Sequence, residues 1–112
     1  MTTRLDRFRG MASWAGLFAG GLAWYAAHDL SFYLVRHNCT TSHVIAPLIH
    51  LVALAIALGG GFISYREIRT PPPPVKEAYT FGATIGFTAA LLLSVVIVWQ
   101  GIATLVYTGC ER

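Results

Sequence analysis

Three polar side chains lie inside long apolar stretches of the chain, at nearly equal distances from a cysteine. His28 precedes Cys39 by eleven residues, and His50 follows it by eleven. Gln100 precedes Cys110 by ten. If the apolar stretches are membrane helices, this spacing places two imidazoles and one amide in a single layer of the bilayer. Polar groups are costly in hydrocarbon, so they usually face protein and mark either a site or an interhelical hydrogen bond.

Two kinds of cofactor chemistry fit this layer. His28 and His50, at equal depth on neighbouring helices, have the residue type that axial ligation of a haem b needs. A quinone-type pocket would use a histidine and Gln100 as hydrogen-bond donors, with Trp24 or Trp99 stacked on the ring. Both are alternatives to a purely structural layer.

Two further interpretations need no cofactor. Asp29 lies at the same depth as His28 and, with the histidines, could form a proton route open to the outer face. Alternatively, His28, Asp29, His50 and Gln100 hydrogen-bond across helices or to a neighbouring subunit. We prefer this last interpretation, because the small residues nearby favour close helix contact over room for a ring.

The small residues recur at four-residue spacing on all three predicted helices. Such stripes let membrane helices approach closely. Three stripes are more than the helices need for packing against one another, so we expect some of the stripes to face other subunits. The stripe residues are Gly16, Gly20, Ala53, Ala57, Gly61, Gly82 and Gly86.

The composition of the chain indicates which secondary-structure elements hold these polar side chains. Hydrophobic residues make up 55% of the 112 residues and charged residues only 12%, against about 25% charged in soluble domains. Residues 11–35, 44–66 and 80–107 each exceed the roughly 20 residues that cross a bilayer. We therefore predict an all-α, single membrane domain over residues 1–112, a bundle of three transmembrane helices. A proline-rich loop, 67–79, joins the second and third helices. We expect no nucleic-acid partner for a chain of this composition.

The basic residues predict the orientation of the bundle. Six precede the first helix or lie between the second and third, and two lie on the other side, which predicts a cytoplasmic N-terminus and a periplasmic C-terminus. The six are Arg4, Arg7, Arg9, Arg66, Arg69 and Lys76, and the two are Arg36 and Arg112.

This orientation sends both cysteines to the outer face. Cys39 falls in a predicted short turn, 36–43, and Cys110 lies just past the third helix. An oxidising compartment favours a disulfide between them. The alternatives are two free thiols, or a metal pair completed by His37 or His43.

Short motifs in the first two helices resemble a known group of proteins. The segments are Gly21-Leu22-Ala23-Trp24-x-x-x-His28, Leu48-Ile49-His50-Leu51 and the basic stop Tyr65-Arg66. They are similar to small membrane proteins that bacteria encode beside aa3- or caa3-type haem–copper cytochrome c oxidases. The resemblance covers residues 16–66 and loosely the third helix.

What the resemblance implies is a non-catalytic accessory subunit of a respiratory complex in the bacterial inner membrane. It carries over no catalytic residues. The expected partners are membrane subunits and the lipid bilayer, with bound lipid and no cofactor of its own. The alternative is a small electron carrier that binds haem b through His28 and His50. A homo-oligomeric pore is disfavoured, because few polar residues are present to line it.

Overall fold

The described part of the chain is entirely helical. The computed structural model describes residues 4–70 and 76–107, and the all-helical prediction is confirmed there. The helices are α1 (Arg4–Ser13), α2 (Ala15–His37), α3 (Cys39–Arg69) and α4 (Lys76–Val106). The three long helices pack side by side, and α1 packs across one end of α3 and α4.

The first predicted helix, 11–35, is divided in the structure. A single residue, Trp14 (φ −92°, ψ 0°), separates α1 from α2. The side chain of Ser64, on α3, satisfies backbone groups on both sides of this break. Apolar residues continue across the break without an interruption, which is why the sequence predicts one helix there.

The connection between α2 and α3 is shorter than the predicted turn 36–43. Asn38 (φ −148°, ψ 75°) alone is non-helical, and α3 begins at Cys39 rather than at residue 44. In this first turn the hydroxyl of Ser42 donates to the carbonyl of Cys39 at 2.8 Å, and the side chain of Asn38 forms no capping hydrogen bond.

Helix α3 also extends beyond its predicted end. It runs through three consecutive glycines, Gly59 to Gly61, and ends at Arg69. Two of these glycines lie in close helix contacts: a Cβ on Gly60 would come within 2.5 Å of Ala19 Cβ, and one on Gly61 within 2.8 Å of Ala90 Cβ. The tetraproline segment, 71–74, lies outside the described residues.

The interior of the bundle is built from small side chains. Most buried apolar residues are alanines, and Ile97 is the one large aliphatic side chain among those fully buried within residues 4–70 and 76–107. Large apolar side chains point outward instead, for example Phe18 at 63% exposure and Leu92 at 65%. A soluble domain buries such residues, so this distribution is the reverse of a soluble core.

Two polar contacts hold the first helix and the ends of α3 and α4 together. Arg9 Nε donates to Glu67 Oε2 at 3.0 Å, and both side chains are largely buried. The hydroxyl of Tyr79 donates to the backbone carbonyl of Asp6. The basic residues of α1 and of the α3 terminus therefore gather at one end of a bundle that measures 59 × 21 × 15 Å.

Two helices, α3 and the segment of α4 from Glu77, are long and apolar enough to cross a membrane. Helix α2 has 23 residues, which is sufficient length. It is not among the helices that meet the full requirement, and it carries two polar residues, His28 and Asp29, near its centre.

Candidate functional site

The structure brings three members of the predicted polar layer to one cavity. His28 on α2, His50 on α3 and Gln100 on α4 line a space of about 300 Å³. The remaining lining residues come from α2 and α4, so the cavity is a groove between these two helices, with His50 as its floor. They are Ser31, Phe32, Val35, Ala103 and Thr104.

The hydrogen bond of His50 fixes which ring nitrogen is protonated. His50 is 4% exposed, and its Nδ1 lies 2.9 Å from the backbone carbonyl oxygen of Ala46. A carbonyl oxygen only accepts, so Nδ1 carries the proton and donates. In the neutral ring, Nε2 is then left with its lone pair as a hydrogen-bond acceptor or ligand.

Two of the lining groups are buried without a hydrogen-bond partner. The side chain of Ser31 is 8% exposed and its hydroxyl has no partner. The amide oxygen of Gln100 is likewise buried and unpaired. Buried polar groups are nearly always satisfied, so these two atoms are among the exceptions in the described residues.

The two histidines differ in their surroundings. His28 is exposed, and its ring stacks on Trp24 with centroids 6.0 Å apart and 24° between planes. His50 instead packs on the α4 backbone, because a Cβ on Gly101 would lie 3.2 Å from His50 Cβ. Helices α3 and α4 are thus in close contact at the depth of His50.

Asp29, the fourth member of the predicted layer, lies elsewhere on α2. It is exposed beside the hydroxyl of Tyr25, one turn earlier, and contributes to a shallow depression with Arg36. Consecutive helical residues point about 100° apart, since a turn takes 3.6 residues. Equal depth therefore does not bring Asp29 to the cavity that His28 lines.

The residues of the small-residue stripes are all buried inside the chain. A Cβ on Gly16 would overlap the carbonyl oxygen of Gly86, and one on Gly82 would come within 2.8 Å of Trp14 Nε1. The expectation that some stripes face other subunits therefore does not hold for these positions. They are Gly16, Gly20, Ala53, Ala57, Gly61, Gly82 and Gly86.

Two serines, Ser31 and Ser64, were not selected from the sequence, although their side chains lie at the cavity and at the α1–α2 break. Ser31 adds an unpaired hydroxyl to the cavity. Ser64 is fully buried, donates to the carbonyl of Ser13 at 3.0 Å and accepts from the amide of Gly16 at 2.9 Å. Ser64 follows the stripe residue Gly61 by three residues, and Ser31 follows the buried Ala27 by four. Both therefore continue the helical spacing of small residues, which is the signal that could have found them.

Only one of the two cysteines of the predicted disulfide lies in the described residues. Cys39 begins α3, and residues 4–70 and 76–107 contain no free cysteine. Its predicted partner, Cys110, lies outside that part of the chain, so the pairing stays a prediction.

A gel comparison tests the disulfide. The wild-type chain is expected to migrate faster without reductant than with it, because a bridge between Cys39 and Cys110 closes a loop of about 70 residues and keeps the denatured chain compact. Cys39→Ser should run at the reduced position under both conditions. Equal mobility of the wild type with and without reductant would contradict the bridge.

Neither a metal cluster nor a relative identifies the site. Within the described ranges, no group of three or more His, Cys, Asp or Glu residues is placed to hold a metal ion. No protein-family model, curated protein or solved structure matches the chain. The function is therefore argued from the geometry and surfaces of the bundle.

Proposed function

We propose that the chain is a non-catalytic accessory subunit of a bacterial respiratory membrane complex of the haem–copper cytochrome c oxidase type. In this proposal α2, α3 and α4 all span the inner membrane, with α1 on the cytoplasmic side and the α2–α3 connection on the periplasmic side. The proposal has four supports, which concern the outer surface, the charged end, one exposed carboxylate and the resemblance of residues 16–66.

The outer surface of α2 supports a third span. Helix α2 packs along both α3 and α4, the two helices that meet the length and hydropathy requirement. Its outward side chains are large and apolar, including Leu22 at 68% and Phe32 at 64% exposure. A helix that lies between two spans and presents such a surface is expected to contact lipid or another membrane subunit.

The charged end supports the orientation. Arg4 and Arg7 are exposed on α1, and Arg66 and Arg69 lie in the last turn of α3. Exposed Leu5 and Phe8 alternate with the arginines on α1, a composition typical of helices in the interfacial plane of a membrane. Basic residues concentrate on the cytoplasmic side of membrane proteins.

The observation that carries the accessory-subunit proposal is the exposure of Asp29. It lies eight residues before the end of α2 at His37, which is about 12 Å along the helix. Within residues 4–70 and 76–107, no basic side chain forms an ion pair with it, and the hydroxyl of Tyr25 on the same helix is the donor beside it. One phenol does not neutralise a carboxylate that faces lipid at that depth, which is costly, so a further donor or a cation from a second subunit is expected to cover it.

The resemblance of residues 16–66 to proteins encoded beside haem–copper oxidases supports the choice of partner. An oxidase complex offers large membrane-embedded subunits on which the α2 face could dock. In this arrangement the chain performs no reaction and adds a surface to the complex.

Mild-detergent purification tests this proposal. The tagged wild-type chain should recover haem-bearing membrane subunits, and Asp29→Asn should reduce that recovery about tenfold. A hydrogen bond to a charged group contributes roughly 1.5–3 kcal/mol, and about 1.4 kcal/mol corresponds to a tenfold change. The yield of each subunit relative to the tagged chain is the quantity measured.

Thr84→Val is the matched control for this experiment. Thr84 is exposed on α4, and its hydroxyl donates only to the Thr80 carbonyl at 2.7 Å. This variant should recover the partner subunits as the wild type does. Recovery of the wild-type chain alone, as a monomer or homo-oligomer, or equal recovery by Asp29→Asn, would count against the proposal.

The alternative function, haem b binding by His28 and His50, has one observation in its favour. Both residues line the same cavity, and His50 Nε2 has its lone pair available. A reduced-minus-oxidised spectrum of the isolated chain decides between the two, since bis-histidine haem gives a strong absorption change that an accessory subunit lacks.

A further inference from the structure

We infer that a depression beside α1 binds an anionic phospholipid of the cytoplasmic leaflet, with the lipid phosphate at Arg7 and one acyl chain along the apolar residues that follow it. This inference rests on the membrane placement in the proposed function, but not on the identity of the partner complex. The depression has a volume of about 550 Å³ and lies where α1 meets the first turns of α2 and α4.

The order of residues along this face matches the order of groups in a phospholipid. Positions 4, 7, 11, 14 and 18 follow one another at alternating intervals of three and four, the spacing that keeps side chains on one helix face. Arginine occupies the first two positions, and the next three are Met11, Trp14 and Phe18. Arg7 and these three apolar residues all line the depression. The face therefore presents a cationic segment and then a hydrocarbon segment.

The charge at this end of the bundle favours an anionic head group. Arg4 and Arg7 are exposed, whereas Arg9 is ion-paired with Glu67. Asp6 also lines the depression, but its one carboxylate is outnumbered by the two exposed guanidinium groups. Arginine binds phosphate oxygens through two parallel hydrogen bonds, and basic pockets on the cytoplasmic side of membrane helices bind acidic lipid head groups.

The apolar part of the depression distinguishes a lipid from a soluble anion. Met11 is 66% exposed and Phe18 is 63% exposed. An inorganic anion at Arg7 would leave this apolar surface uncovered, and a hydrocarbon chain alone would leave the guanidinium without an anion. A phospholipid covers both parts at once.

Contacts with α4 hold the walls of the depression in place. The hydroxyl of Tyr79 donates to the backbone carbonyl of Asp6, which ties α1 to α4. The ring of Trp14 packs edge-on against Phe81 with centroids 6.4 Å apart, and a Cβ on Gly82 would come within 2.8 Å of its Nε1. The surface that receives the acyl chain is therefore formed before a lipid binds.

Trp14 can report which lipid occupies the depression. The chain has three tryptophans, and Trp24 and Trp99 do not line this depression. The parent for the measurement therefore carries Trp24→Phe and Trp99→Phe. The full chain is reconstituted into phosphatidylcholine vesicles, in which a rising fraction of the lipid is replaced by brominated phosphatidylglycerol or, in a parallel series, by brominated phosphatidylcholine. Bromine on an acyl chain quenches indole fluorescence on contact.

Quenching of the parent is expected to show about a fivefold preference for phosphatidylglycerol over phosphatidylcholine, the factor that corresponds to ~1 kcal/mol for one arginine near an anionic lipid. Arg7→Gln should lower this ratio to about 1, and Arg7→Lys should retain most of the preference because it keeps the charge. Arg36→Gln is the matched control: Arg36 is an exposed arginine in the last turn of α2, at the opposite end of the bundle. It removes the same charge and should leave the ratio of the parent unchanged.

Three results would overturn the inference. Equal quenching of the parent by the two brominated lipids would show a lipid-facing surface that does not select a head group. Equal ratios in Arg7→Gln and Arg36→Gln would show that the preference comes from the overall charge of the chain. Absence of quenching by either lipid would contradict the membrane placement as well. The recovery of partner subunits, which the Asp29→Asn experiment measures, is independent of all three.

Discussion

The Gly16→Ala variant is expected to lose about 3 kcal/mol of folding free energy. A methyl group on Gly16 would overlap the backbone carbonyl of Gly86 and come within 3.0 Å of Ser64 Oγ. Overpacking typically costs 1–3 kcal/mol, and the upper end applies because backbone cannot rotate away as a side chain can. Helices α2 and α4 would have to separate, which also breaks the hydrogen bond from the Gly16 amide to Ser64. Thermal unfolding in one detergent, followed by circular dichroism, measures the loss.

Gly21→Ala separates the packing effect from the effect of replacing a glycine in a helix. Nothing lies within 4 Å of a Cβ built on Gly21, and alanine has the higher helix propensity by about 1 kcal/mol. This control should be as stable as the wild type or slightly more stable. If Gly16→Ala and Gly21→Ala unfold at the same temperature, the close contact between α2 and α4 is not present in the membrane-extracted protein.

The helices and their inner faces follow from local sequence rules. Long apolar stretches predict the three long helices, and the four-residue spacing of small residues identifies the faces that the structure buries. This works because glycine and alanine at that spacing fall on one side of a helix. Large apolar residues carry no such information here, since they occur on every outward face.

The helix boundaries depend on contacts that no local pattern contains. The break at Trp14 is supplied with hydrogen bonds by Ser64, which lies 48 residues from Gly16 in the chain. Helix α3 continues through Gly59 to Gly61 and beyond the predicted residue 66, and Ala15 and Ala19 of α2 occupy the space that a side chain at Gly60 would need. These features depend on how α2 and α3 pack together, which the spacing within each helix does not determine.

The sequence predicted how far along each helix the site residues lie, but not which way their side chains point. Counting residues from the cysteines placed His28, His50 and Gln100 in one layer, and the structure brings them to one cavity. The same count placed Asp29 in that layer, although it points to a different face of α2. Depth follows from the rise per residue, whereas direction depends on how each helix is rotated against its neighbours.

Ser64→Ala is expected to destabilise the bundle by about 2–3 kcal/mol. The hydroxyl of Ser64 serves the two sides of the α1–α2 break at once, accepting from Gly16 at 2.9 Å and donating to Ser13 at 3.0 Å. Ser64 is fully buried, so its removal leaves a backbone amide and a carbonyl without a replacement from water. Leaving a buried group unsatisfied costs roughly 1–3 kcal/mol. The same thermal unfolding measurement applies.

Ser94→Ala tests whether the effect comes from bridging two helices. Ser94 is also buried, but its hydroxyl donates to Ala90 on its own helix, and that carbonyl keeps its regular helical partner when the hydroxyl is removed. The control should lose less than about 1 kcal/mol. A matching loss in both variants would mean that the α1–α2 break does not depend on α3. A larger loss in Ser64→Ala would show that the α1–α2 break depends on the hydrogen bonds of one side chain of α3.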